Sequence, residues 1–295
     1  MDVEQYLKDV LSSQSFKNDD PELVTLREKR NEVEKILLES FPGVTIRYAG
    51  SHAKKTMIRA CYDLDLACYF GHEDKQAGES LEEIRYSVYE VLKEHFSVVP
   101  KTSALRLEEG SDHKQYTHVD VVPGRYIDGN SGDVFLFQFG VEKNRQKTNL
   151  DTHIETIRDS GLTDVIQLVK YWAHRQGFHL KTFILELMVI KILKSHKSKS
   201  LTRKLELFWE CLRDNIDSVV IEDPANPEGN DLMPVLNSNR MVLSLSALNT
   251  LQSIQSIGWE QVFGVLEEQN QESARLAAIN SFAQSRSDGA RPWSE

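Results

Sequence analysis

The chain has 295 residues, enough for one large or two ordinary domains, and 40% of them are apolar, enough for a core. Its 35 basic and 45 acidic residues give a formal net charge of −10. That argues against sequence-independent binding to long nucleic acid, where neutralising phosphates supplies most of the affinity. Cys61, Cys68 and Cys211 form no CxxC pair and no zinc spacing, as expected of unpaired thiols in a cytoplasmic protein. No apolar run approaches a membrane span, and the mixed, acidic N-terminus is unlike a signal peptide.

Val3 to Leu11 carries Val3, Tyr6, Leu7 and Val10 at helical spacing, followed by a polar bridge to Asp19. Asp20-Pro21 starts a second helix, expected to reach about Ser40 and to bury Leu23, Leu26, Val33, Ile36 and Leu37. Val44 to Tyr48 reads as a strand, Gly50-Ser51 as the opening of a short helix, and Tyr62 to Phe70 as a second strand. Ser80-Leu-Glu-Glu83 is a capping box before a helix of Ile84, Val88, Val91, Leu92 and Phe96. Strands are expected at Ser103 to Leu107, Tyr116 to Val122 and Val134 to Phe139. Helices with a mixed sheet make the first half α/β. From about Asp151 the pattern turns helical: Ile154 to Arg158, Leu162 to Gln176, Thr182 to Ser195, Leu201 to Asn215, Met241 to Ile254 and Gln261 to Phe282. Asp223 to Asn230 is a turn-rich loop in which Asp223 and Asn230 are expected to fix the turns, and Gln284 to Glu295 reads as a frayed tail.

The chemistry concentrates around Tyr48 to Thr56. Small residues at Gly50-Ser51 let backbone N–H groups approach a phosphate at a helix start. Asp63 and Asp65, two apart on the expected strand, project from one face. Asp120 stands alone in His118-Val-Asp-Val-Val-Pro123, where an acid is either paired or a ligand. Carboxylates facing one point favour a cation between them, and Mg²⁺ suits carboxylates plus substrate phosphates. Three acids on two neighbouring strands can hold two ions about 4 Å apart for an in-line phosphoryl displacement. By spacing alone Lys54 reads as a surface lysine, Thr56 as part of the turn, and Lys170 as a lysine with its stem on an apolar face.

Gly50-Ser51…Thr56, Asp63-Leu-Asp65 and Val119-Asp-Val121 together resemble the polymerase-β-type nucleotidyltransferase pattern. Leu168-Val-Lys-Tyr-Trp172, Lys181-Thr-Phe-Ile-Leu-Glu-Leu187 and the Asp223 to Asn230 loop narrow the resemblance to the CD-NTases, bacterial relatives of oligoadenylate and cyclic GMP-AMP synthases. The sequence departs from that pattern at Lys55, where the family usually has Gly, which leaves the loop conformation open. The zinc-binding insertion of the animal DNA sensors is also missing, which with the acidic charge argues against activation by long duplex DNA.

The resemblance implies a nucleotidyltransferase core at 1–150, a helical C-terminal domain at 151–283, and a nucleotide cleft between them. It implies catalysis and metal binding by Asp63, Asp65 and Asp120, with two Mg²⁺ ions or Mn²⁺ in their place. It implies nucleotide binding by Gly50, Ser51, Lys54, Thr56, Lys170, Thr182 and Phe183. The implied activity joins NTPs into a cyclic or linear second messenger for anti-phage signalling, with a regulatory protein partner from the same system. Two readings compete with it. One is nucleotidyl transfer to a drug, a tRNA end or a protein; the other is a catalytically silent nucleotide-binding regulator.

Overall fold

The computed structural model describes residues 2–108, 118–178 and 180–266. Its first half is built on one seven-stranded sheet with path β1-β2-β5-β4-β3. These strands are β1 (Thr45–Tyr48), β2 (Leu64–Phe70), β3 (Ser97–Pro100), β4 (Leu105–Glu108) and β5 (Val119–Tyr126); β6 (Asp133–Phe137) and β7 (Arg145–Asn149) extend it from β5. β2 and β5 run parallel, and every other pairing is antiparallel. A parallel pair needs a long crossover, and the chain makes it through α4 (Leu81–Lys93), β3 and β4. The expected capping box at the start of α4 is formed in both directions between Ser80 and Glu83.

Alternation along β2 and β5 sorts their side chains onto two faces. Leu64, Leu66, Cys68, Phe70, Val119 and Val121 pack under α4 and α2 (Pro21–Ser40). Ala67 and Tyr69 point the other way, toward Val134, Leu136 and α5 (Leu150–Arg158). Asp65 and Asp120 share this second face.

The second half is helical: α6 (Thr163–Arg175), α7 (Thr182–Leu193), α8 (Leu201–Asp214), α9 (Met233–Ser256) and α10 (Trp259–Phe263). Trp172 lies at its centre, 5.9 Å from the Trp209 ring, and its indole N–H donates to Thr250 Oγ1 at 2.9 Å. Helix α1 (Val3–Gln14) belongs to this core although the sequence division groups it with the sheet. Tyr6, Leu7 and Val10 are buried among α6, α8 and α10 residues, Tyr6 donates to the Gly264 carbonyl, and the Glu4 carboxylate caps the start of α8 through Leu201 and Thr202. Among the described residues, no helix is long and apolar enough to cross a membrane.

Several boundaries differ from the sequence expectation. β3 and β7 were not expected: β3 is a short edge strand ending in Pro, and β7, Arg145-Gln-Lys-Thr-Asn149, has no apolar alternation and, among the described residues, pairs with β6 alone. β2 begins at Leu64, so Asp63 lies just ahead of the strand rather than in it. α9 starts at Met233 instead of Met241, with Pro in its first turn. Ile36 and Phe96 are half-buried rather than core residues. α10 stops at Gly264, whose φ of 85° breaks it; the rest of the expected last helix, 267–282, and the tail lie outside the described residues.

Candidate active site

β2 and β5 pair so that Asp65 stands directly opposite Asp120. Asp63, two residues before Asp65, joins them, and ligand oxygens of all three acids lie within 4.8 Å of one another. Against this triad sits the turn after β1. The Ala49 N–H donates to the Asp65 carbonyl at 2.8 Å, which seats the turn on β2. Gly50 opens the four-residue helix α3 (Gly50–Ala53) with φ of 54°, and a Cβ there would overlap the Asp65 carboxylate. Gly50 is therefore required twice, by its left-handed backbone and by the close approach of the acid. Lys55 has φ of 60°, a left-handed conformation that glycine adopts freely and a residue with a side chain does not.

The electrostatics follow from crowding three carboxylates in a half-buried place. Burial, then Asp63 and Asp120, push the Asp65 carboxyl up to about 7. Burial and Asp120 raise Asp63 as well. Arg106 on β4 partly relieves the repulsion. The β4–β5 register sets it opposite Asp120, and its Nε and Nη2 each donate to one Asp120 oxygen at 2.8 Å. That fork is the strong, planar form of a carboxylate pair, and it holds the guanidinium pKa above its ordinary value. Lys54 and Lys170 also draw the Asp65 carboxyl down but do not outweigh burial and the neighbouring acids, and the donor set is entirely hard carboxylate oxygen. This fits Mg²⁺ or Mn²⁺ and does not resemble a zinc site.

The other expected site residues divide into two groups. Gly50, Ser51 and Phe183 are half-buried around the turn and the start of α7, and Thr182 is exposed at its first position. The Phe183 ring has Lys54 Nζ 5.1 Å from its centroid and the His153 ring at 4.7 Å. His153 is in turn fixed by Asp223 at 2.6 Å, and Asp223 also accepts from Asn230 and from the Ala225 N–H. Burial alone would raise the Asp223 carboxyl, but these hydrogen bonds outweigh it and hold it low. The 223–230 loop is thus fastened by its own acid, as its composition suggests.

Lys54, Thr56 and Lys170 form the second group, and they turn inward. Lys54 is buried rather than on the surface, because Glu186 of α7 accepts from its Nζ at 2.5 Å. Thr56 has no exposed surface, and its hydroxyl donates to the other Glu186 oxygen at 2.6 Å. Lys170 does not lead its ammonium out to solvent along the apolar face. Its Nζ donates to the Thr56 carbonyl at 2.7 Å and lies 3.9 Å from Glu186. Burial lowers the Lys170 pKa, and the Glu186 charge opposes that.

Arg106 and Glu186 are the residues that sequence reasoning missed. Nothing in Leu105-Arg-Leu-Glu108 marks Arg106 until the strand register is known. Glu186 did carry a signal, since a lone acid within Ile184-Leu-Glu-Leu-Met188 needs a partner.

No family model matches the chain. A cyclic AMP-AMP-AMP synthase of Escherichia coli (strain MS 115-1) is 25% identical over 236 residues, 71% of either chain. Among solved structures, the E. coli MS115-1 CdnC:HORMA-deltaN complex matches with a TM-score of 0.61 and 21% identity over 86% of this chain and 93% of that one. The Bradyrhizobium diazoefficiens CD-NTase CdnG in complex with GTP gives 0.67 at 12% identity, covering 94% and 99%. Sheet, helical half and acidic triad agree with this likeness: the chain has the fold of these CD-NTase structures and is similar in sequence to the E. coli cyclic AMP-AMP-AMP synthase.

Proposed function

We propose that this protein is a nucleotidyltransferase that joins NTPs into a cyclic or linear oligonucleotide second messenger with release of pyrophosphate, in an anti-phage signalling system. The observation that carries the reading is the convergence of Asp63, Asp65 and Asp120 beside the Gly50 turn, in a fold shared with cyclic-oligonucleotide synthases. In this reading the three carboxylates hold divalent ions, which when bound stabilise the attacking and leaving oxygens of an in-line displacement. Gly50 and Ser51 receive the triphosphate on backbone N–H groups, and Lys54 and Lys170 supply positive charge behind the turn. Phe183, braced by His153, offers a face to a base, which suits any base because each has a π-face. A ribose hydroxyl of the acceptor forms a bond to the α-phosphorus of the donor while the bond to the bridging oxygen breaks and pyrophosphate departs. Asp120, or a bound metal alone, would help take the hydroxyl proton. A regulatory protein partner is proposed from the likeness to CdnC, which was solved in complex with HORMA-deltaN.

Mass spectrometry of products from all four NTPs with Mg²⁺ or Mn²⁺, and no other acceptor, tests the activity. The reading expects an oligonucleotide and pyrophosphate from the native protein and neither from a variant carrying Asp63→Asn and Asp65→Asn. Full turnover by that variant contradicts the metal assignment. Absence of product from the native protein, with transfer to a supplied tRNA or protein instead, contradicts the messenger assignment.

A further inference from the structure

Glu186 is fully buried midway along α7, between Leu185 and Leu187 and with Met188 and Val189 beyond. An ionised carboxylate in such surroundings is strongly unfavourable unless its oxygens are satisfied. Both are, and not by α7 or its neighbours alone. Oε2 takes Lys54 Nζ at 2.5 Å and Oε1 takes Thr56 Oγ1 at 2.6 Å, partners more than a hundred residues away in the turn beside the triad.

We infer that Glu186 is a positioning residue, the pin that sets the Gly50 to Thr56 turn against the carboxylate triad from the opposite half of the molecule. Three features lead there. First, Thr56 is fixed at every polar atom: its N–H donates to the Ser51 carbonyl at 2.9 Å, its carbonyl accepts from Lys170, and its hydroxyl goes to Glu186. Second, Lys54 and Thr56 flank Lys55, whose left-handed backbone is unfavourable for a residue with a side chain. Such a conformation persists only where the surroundings over-determine it, and the two flanking bonds to Glu186 do so. Third, Glu186 lies three residues after Phe183, so the two occupy neighbouring places on one face of α7. One rigid helix therefore fixes both the turn and the aromatic ring. Buried ion pairs are often no more stabilising than an apolar replacement, so stability alone does not account for this cluster. Placement of the turn does.

The inference rests on the nucleotidyltransferase reading for its consequence in turnover, but not for its structural content. Three variants test it: Glu186→Gln, Thr56→Val and the conservative Thr56→Ser. Each is measured for thermal stability, for kcat and KM of NTP turnover, and for amide exchange across residues 50–56 and across β2. A displacement near 1 Å can reduce turnover roughly 100-fold. Glu186→Gln and Thr56→Val are expected to stay folded, to lose 10-fold or more in kcat on that scale, and to exchange faster at 50–56 but not in β2. Thr56→Ser, which keeps the hydroxyl, is expected to restore kcat and protection. Should Glu186→Gln fail to fold, the Thr56 pair carries the test. Native turnover and protection in Thr56→Val, or a loss in Thr56→Ser equal to that in Thr56→Val, overturns the inference. If the native protein makes no product from any NTP, the functional reading fails, and the exchange comparison still decides whether the pin exists.

Discussion

Neutralising residue 65 changes how the metal-free protein responds to pH, by an amount the site allows one to work out. Burial, with Asp63 and Asp120 alongside, lifts the Asp65 carboxyl from its ordinary 3.8 to about 7. A group raised on folding contributes stability that is complete below its unfolded pKa and is lost as pH climbs through the folded one. At about 1.4 kcal/mol per unit, the loss between about pH 5 and pH 8 is roughly 3 kcal/mol. With an unfolding entropy of about 2.1 cal/mol/K per residue, that lowers Tm by about 4 to 5 °C in a chain of 295 residues. Asp65→Asn keeps the shape and abolishes the titration. The assay is thermal unfolding of both proteins in EDTA at the two pH values, repeated with Mg²⁺. The native protein should lose about 4 to 5 °C relative to the variant as pH rises, and Mg²⁺ should return it, because a cation removes the repulsion. Parallel pH dependence in EDTA, or equal stabilisation of both proteins by Mg²⁺, would refute the reasoning.

Gly50→Ala places a Cβ on the Asp65 carboxylate and costs about 1 kcal/mol in the left-handed backbone, so the acid must move. Turnover measured as pyrophosphate release should fall by about 100-fold, far more than stability suggests. Lys55→Gly should leave urea-unfolding stability equal or raise it by up to about 1 kcal/mol, since relief at φ of 60° offsets the entropy of glycine; a clear loss contradicts the assigned backbone. Arg106→Met leaves Asp120 without its fork and should cost roughly 2 kcal/mol in EDTA by urea unfolding, with Mg²⁺ recovering most of it.

The local elements were legible because local chemistry sets them. The Ser80–Glu83 box and the Asp20-Pro21 start needed only neighbours in sequence. The acids were legible because Asp120 in a β-branched strand and the Asp63, Asp65 pair are costly without a purpose. What was hidden depends on pairing at a distance. Arg106 meets Asp120 only through the β4–β5 register, and α1 joins the helical core only after the chain has returned to it. The inward turn of Lys54, Thr56 and Lys170 follows from Glu186, whose partners lie across the molecule. A lysine beside a glycine turn looks like a ligand contact or a surface charge until the acid that holds it is found. β7 escaped because a polar edge strand has no apolar rhythm to read.

The most direct test of the central claim is a crystal structure of the native protein with Mn²⁺ and a non-hydrolysable ATP analogue, using the anomalous signal to place the ions. The account predicts Mn²⁺ ligated by Asp63, Asp65 and Asp120, with the triphosphate on the Gly50-Ser51 turn. Ions bound elsewhere, or a nucleotide seated away from that turn while the three acids stay bare, would contradict it.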